Sequence, residues 1–118
     1  MKILIAEDSE ILSKVMTLIL TNEGYEVVTA IDGREAYNKF KEVNPDMILT
    51  DMYMPHYNGI ELATMVRRES SIPIIIISGA DDIETREGSS SAGINDYILK
   101  PFDVSDLKSR VSKLLPSQ

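Results

Sequence analysis

Glu7, Asp8, Asp51, Ser78 and Lys100 are three carboxylates, a hydroxyl and an ammonium spread along a chain of 118 residues. Brought to one place, they form a set with defined chemistry. Two carboxylates about 5 Å apart repel by roughly 3 kcal/mol at an effective dielectric near 20, so three of them demand a positive partner. A hard divalent ion such as Mg²⁺ meets that demand, because it prefers oxygen ligands and one or two carboxylates, with water or phosphate oxygens completing an octahedron. Lys100 alone brings one charge. Metal, lysine and hydroxyl are also what neutralises the oxygens of a phosphoryl group in transit, and a carboxylate can accept that group. Taken singly, each residue has a plainer reading: Asp8 and Asp51 as helix caps, Lys100 as a solvated surface lysine, and Ser78 before Gly79 as a turn.

The elements that would gather these residues are visible as short apolar runs, Ile3 to Ala6, Val27 to Ala30, Met47 to Thr50, Ile74 to Ile77 and Tyr97 to Leu99. Runs of this length without polar alternation predict strands buried on both faces, as in a parallel sheet covered by helices. Between them lie helical patterns. Ile11, Leu12, Val15, Met16, Leu18 and Ile19 follow Ser9 as N-cap and end at Gly24. Asp32 caps a helix with Ala36, Tyr37, Phe40 and Val43, ended by Asn44-Pro45. Asn58 opens one with Ile60, Leu62, Ala63, Met65 and Val66. Val104, Leu107, Val111, Leu114 and Leu115 form the last stripe, before Pro116. The stretch from Asp82 to Ala92 has Ile83 as its only large apolar residue and then Gly88-Ser89-Ser90-Ser91, so its helix should be weak and mobile.

Five strands alternating with five helices predict an α/β fold: a doubly wound, five-stranded parallel sheet, (βα)5, with right-handed crossovers. Such sheets bind ligands beyond the carboxyl ends of their strands. Glu7 and Asp8 stand just past the first strand, Asp51 past the third, Ser78 past the fourth and Lys100 past the fifth. In the flavodoxin-like strand order 2-1-3-4-5 all of them converge on one rim.

Composition narrows the remaining choices. Twelve basic against nineteen acidic side chains give a formal charge of −7, which disfavours direct binding to nucleic acid or to anionic membrane surfaces. No cysteine is present, so neither disulfides nor cysteine-ligated zinc contribute. The length suits a single domain over residues 1–118 with a self-sufficient core. The opening apolar run is cut at Glu7, too short for a signal peptide, and no apolar run approaches the roughly 20 residues of a membrane span. A cytoplasmic location is expected.

Five elements together resemble the receiver domain of the bacterial response-regulator family, from Met1 to about Leu115. They are Glu7-Asp8, Asp51-Met52-Tyr53-Met54-Pro55 with Gly59, Ser78-Gly79, Asp96-Tyr97, and Lys100-Pro101-Phe102. The resemblance implies that Asp51 accepts a phosphoryl group from a histidine of a sensor kinase or phosphotransfer protein, or from a small phosphodonor. Glu7, Asp8 and Asp51 would hold Mg²⁺, or Mn²⁺ in its place, with the backbone carbonyl of Met52 as a further ligand. Ser78 and Lys100 would meet the phosphoryl oxygens, and Pro101 would follow a cis bond. Tyr97 would rotate inward as Ser78 moves, changing the surface of the fourth helix, last strand and last helix; its other reading is a half-buried strand aromatic. Such a switch catalyses only its own phosphorylation and dephosphorylation. Its partners would include a downstream protein or effector domain, or a second copy in a phosphorylation-dependent homodimer.

Some positions depart from the family pattern. Gly79 stands where alanine is common, widening access or merely loosening the loop. Gly88 to Ser91 replace apolar anchors of the fourth helix, so the usual output surface does not carry over directly. Tyr53 and Ala80, each two residues after a site residue, lie where the family tunes phosphoryl lifetime. Among rival readings, an aspartate-based phosphatase needs a second Asp where Tyr53 stands, and a flavin or nucleotide binder needs a Gly- or Ser/Thr-rich phosphate loop where Glu7-Asp8-Ser9-Glu10 stand. A pseudo-receiver acting only through protein contacts would not require the complete acid, serine and lysine set. His56, the single histidine, reads as a structural or incidental loop residue. If Tyr53 shields an acyl phosphate from water, Tyr53→Ala will shorten its lifetime; an unchanged dephosphorylation rate would refute that role.

Overall fold

The computed structural model describes residues 1–79 and 93–115. Five parallel strands, β1 (Lys2–Ala6), β2 (Glu26–Ala30), β3 (Met47–Asp51), β4 (Ile74–Gly79) and β5 (Asp96–Lys100), form one sheet in the order β2-β1-β3-β4-β5. Each predicted strand is present, longer than its apolar run by one or two residues. Four helices accompany them among the described residues: α1 (Glu10–Asn22), α2 (Gly33–Val43), α3 (Gly59–Arg67) and α4 (Val104–Leu114). The weak helix expected between Asp82 and Ala92, the lifetime position Ala80 and the stop at Pro116 lie outside the described residues.

Pleating divides the core in two. Ile3 and Ile5 of β1, Met47 and Leu49 of β3, and Ile75 and Ile77 of β4 point to one face, where Met16 and Leu20 of α1 and Leu107 and Val111 of α4 cover them. Leu4, Ala6, Ile48 and Ile74 point to the other, against Ala36 and Phe40 of α2 and Leu62, Ala63 and Val66 of α3. Continuous apolar runs in β1, β3 and β4 are therefore the direct consequence of helices on both faces.

Side chains begin the helices as their sequences demand. The Ser9 hydroxyl accepts from Leu12 N–H, Asp32 from Glu35 N–H, and Asn58 forms a capping box with Glu61. Asn44 ends α2 in the left-handed conformation, with φ 48°. The α1 stripe is wider than the face it can bury. Met16 and Leu20 are buried, while Ile11 is 78% and Leu18 67% exposed, with Val15 also outward. Residues 11, 15 and 18 make a second stripe at four- and three-residue spacing, turned from the sheet because a helix lying on a sheet buries only one side. Val104 at the start of α4 is likewise exposed.

Leu49 is fully buried in the central strand β3. Leu49→Ala should cost about 2–5 kcal/mol, since its close-packed surroundings collapse only partly. In urea this will lower the unfolding midpoint at unchanged m-value.

Candidate functional site

The strand order brings the predicted residues to one rim. β1 and β3 are adjacent, so Glu7 and Asp8, following β1, face Asp51 at the end of β3. One carboxylate oxygen from each of the three lies within 4.8 Å of the others. Lys100, the last residue of β5, reaches across β4 and places Nζ 3.1 Å from Asp51 Oδ1 and 3.6 Å from Glu7 Oε1. Asp51 pairs with Ile77 in the sheet, so Ser78, buried at the end of β4, stands one residue further toward the rim. The Lys100–Pro101 peptide is cis.

Burial makes this arrangement electrostatically tense. Glu7 is 2% exposed and Asp51 7%. The Ser9 N–H donates to Glu7 Oε2 at 3.0 Å, and Met52 N–H to Asp51 Oδ1 at 2.8 Å. Among the described residues Glu7 Oε1 has no hydrogen-bond partner. Desolvation pushes the Glu7 carboxyl up to about 7; the Ser9 N–H opposes this, the Asp51 charge adds to it, and Lys100 pulls it down. Burial lowers the Lys100 pKa, but the hydrogen bond and charge of Asp51, followed by Glu7, outweigh it and leave the ammonium raised above its ordinary value.

An oxygen-seeking divalent cation fits this donor set. A buried, unpartnered carboxylate oxygen is costly unless something positive engages it, and the converging atoms are all hard oxygens. The Met52 carbonyl accepts from Gly59 N–H at 2.7 Å, which leaves its second lone pair for any other partner. A Cβ on Gly59 would lie 2.8 Å from the Asp51 carbonyl oxygen, so glycine lets α3 start directly against the end of β3.

Tyr53, two residues after Asp51, is 61% exposed, Gly79 is exposed at the end of β4, and Tyr97 is half-buried on β5. His56 stays outside the acid cluster. Its Nδ1 is 3.1 Å from Arg34 Nη2 and its Nε2 3.9 Å from Asp32 Oδ2. The acid pair opens on a cavity of about 850 Å³ between α1 and the β2–α2 loop, lined also by Ser13, Leu18, Ile31 and Pro55. Sequence reading overlooked the Ser9 N–H as the group that orients Glu7. Its signal was present, since an N-cap residue after β1 places its backbone next to the first acid.

Without metal, Glu7 links stability to pH. Between pH 4.5, its ordinary value, and about 7, the folded protein keeps a proton that the unfolded chain has lost. Stability from this group is complete below that window and falls as pH rises through it, by on the order of 3 kcal/mol. In EDTA, urea unfolding should show Glu7→Gln gaining on the parent protein from pH 4.5 to 7. A constant difference would contradict the shift.

Residues 3–112 match the family model of the response regulator receiver domain. The response regulator ArlR of Staphylococcus aureus is 37% identical over 117 residues, which are 99% of this chain and 53% of ArlR. The chain thus spans about half the length of the curated relatives it matches. Among solved structures, the chemotaxis protein CheY4 of Vibrio cholerae superposes with TM-score 0.91 at 31% identity, covering 97% of this chain and 98% of its own. The receiver domain of Francisella response regulator 1452 gives TM-score 0.88 at 32% identity, covering 96% and 94%. A match running through all five strands and the whole acidic rim has one meaning: the chain belongs to the response regulator receiver domain family.

Proposed function

We propose that this receiver is a phosphorylation-dependent switch in which Asp51 accepts the phosphoryl group. The observation that carries the reading is the convergence of Glu7, Asp8 and Asp51 on one point, with Lys100 Nζ 3.1 Å from Asp51 and a buried Glu7 oxygen that has no hydrogen bond among the described residues. In the transfer, an Asp51 carboxylate oxygen bonds to phosphorus as the phosphorus–nitrogen bond of a donor phosphohistidine breaks. The electron pair returns to the imidazole, which takes a proton. Acetyl phosphate would serve in the same way, losing acetate.

Glu7, Asp8 and Asp51 would hold Mg²⁺. When bound, the ion supplies positive charge to the phosphoryl oxygens and relieves repulsion among the acids. Lys100 would provide an ammonium beside Asp51, and Ser78 a hydroxyl at the adjacent strand end. The cavity beside the acid pair gives a donor access from α1. Tyr97 shares β5 with Lys100, so a shift toward new charge at Asp51 passes directly to that strand. Residues 1–118 then act as a single domain in the cytoplasm, with a sensor kinase or phosphotransfer protein upstream and an effector or second receiver downstream. His56 takes no part.

Intact mass after incubation with acetyl phosphate tests the reading. With Mg²⁺ the protein will gain one phosphoryl group; with EDTA, or in Asp51→Asn, it will gain none. A parent protein that stays unmodified with Mg²⁺ would leave a pseudo-receiver that signals through contacts alone.

A further inference from the structure

Far from the acidic rim, Arg67 at the end of α3 uses all five of its N–H donors. Nε and Nη2 donate to the Gly93 carbonyl at 3.1 and 2.9 Å, and Nη1 to the carbonyls of Ser70 and Ile72 at 3.3 and 2.7 Å. The remaining Nη2 hydrogen bonds Asn95 Oδ1 at 2.8 Å. Among the described residues no carboxylate pairs with it. Asn95 is itself doubly tied to the first residue of β4, accepting from Ile74 N–H at 2.9 Å and donating its own N–H to the Ile74 carbonyl at 2.9 Å. Gly93 has φ +76°, and a Cβ there would lie 2.8 Å from Arg67 Nε, so the guanidinium packs against bare backbone.

This node sits where β5 begins, and β5, like β2 at the other edge of the sheet, has a register little secured by burial. It is an edge strand paired only with β4. Of its five residues only Ile98 is buried, and Leu99 is 41% exposed. Register is strongly specified when one face is apolar and buried, and weakly when it is not. Arg110 of α4 adds one contact, donating to Asp96 at 2.7 Å. Yet Lys100 must stand at one height, paired with Gly79, to reach Asp51. A slip of one residue would turn its side chain to the other face.

We propose that Arg67 is a positioning residue for phosphoryl acceptance: with Asn95 it locks the register of β5 and so holds Lys100 against Asp51. The inference rests on the proposed role of Asp51. Lysine cannot substitute, because three donors on a point charge do not span carbonyls on both sides of the node.

The test compares Arg67→Lys and Asn95→Ala with the parent and with Phe40→Leu, a core variant on α2 remote from β5. Urea unfolding sets conditions in which each protein is fully folded, and intact mass then gives the rate of phosphorylation by acetyl phosphate with Mg²⁺. The expected result is a rate at least fivefold lower in both node variants and within twofold of the parent in Phe40→Leu. Should one node variant fail to fold, the other carries the comparison. Node variants that react at the parent rate would overturn the proposal, because a purely structural clamp changes stability and not the rate per folded molecule. An equal loss in Phe40→Leu would overturn it too. A parent that gains no phosphoryl group removes the Asp51 reading instead, and this inference with it.

Discussion

Three converging carboxylates, Glu7 and Asp51 buried and Asp8 exposed, with one lysine to balance them, are the constraint around which this protein is organised. Charge of one sign at a rim is unstable by itself, and the fold tolerates it only because the acids are anchored at strand ends that cannot retreat. Glu7 and Asp8 follow a strand whose four residues Ile3 to Ala6 are fully buried, and Asp51 closes a strand buried along its whole length. That tension is useful, because a site short of positive charge binds whatever supplies it, and responds when a dianionic group is added.

The two-layered core explains why the site can be both rigid and responsive. β1 and β3 lie in the middle of the sheet, with helices on each face, and hold the acids firmly. β4 and β5, which carry Ser78 and Lys100, lie toward one edge. Burial is complete in β3 and nearly so in β4, and falls to one residue in each edge strand, β2 and β5. Lys100 thus stands on a strand with little burial, whereas Asp51 and Ser78 belong to strands that are almost wholly buried. Polar ties at the far end, from Arg67, Asn95 and Arg110, stand in for the apolar contrast that β5 lacks.

Exposed apolar side chains on α1 add a separate feature of the same rim. Ile11 and Leu18 face solvent although their spacing reads as a core stripe, and Leu18 lines the cavity that opens at the acid pair. Periodicity reports that a helix has apolar faces, and only the position of the sheet tells which of them is covered.

Local order was legible in the sequence because it is set by local physics. Unbroken apolar runs marked all five strands, Ser9, Asp32 and Asn58 announced their helices through side chains that satisfy free N–H groups, and strand ends picked out Glu7, Asp8, Asp51, Ser78 and Lys100. The order 2-1-3-4-5 entered as the flavodoxin-like arrangement in which those ends would converge, and the sheet has that order. Tertiary structure alone decided what depends on distance. Among the described residues it left the Glu7 oxygen without a hydrogen bond, set Lys100 closer to Asp51 than to Glu7, turned Ile11 and Leu18 outward, and joined Arg67 to Gly93 and Asn95, more than 25 residues away. Spacing along a chain records which groups can share an element; the energy of a buried charge or a five-bond guanidinium belongs to neighbours that only folding brings within reach.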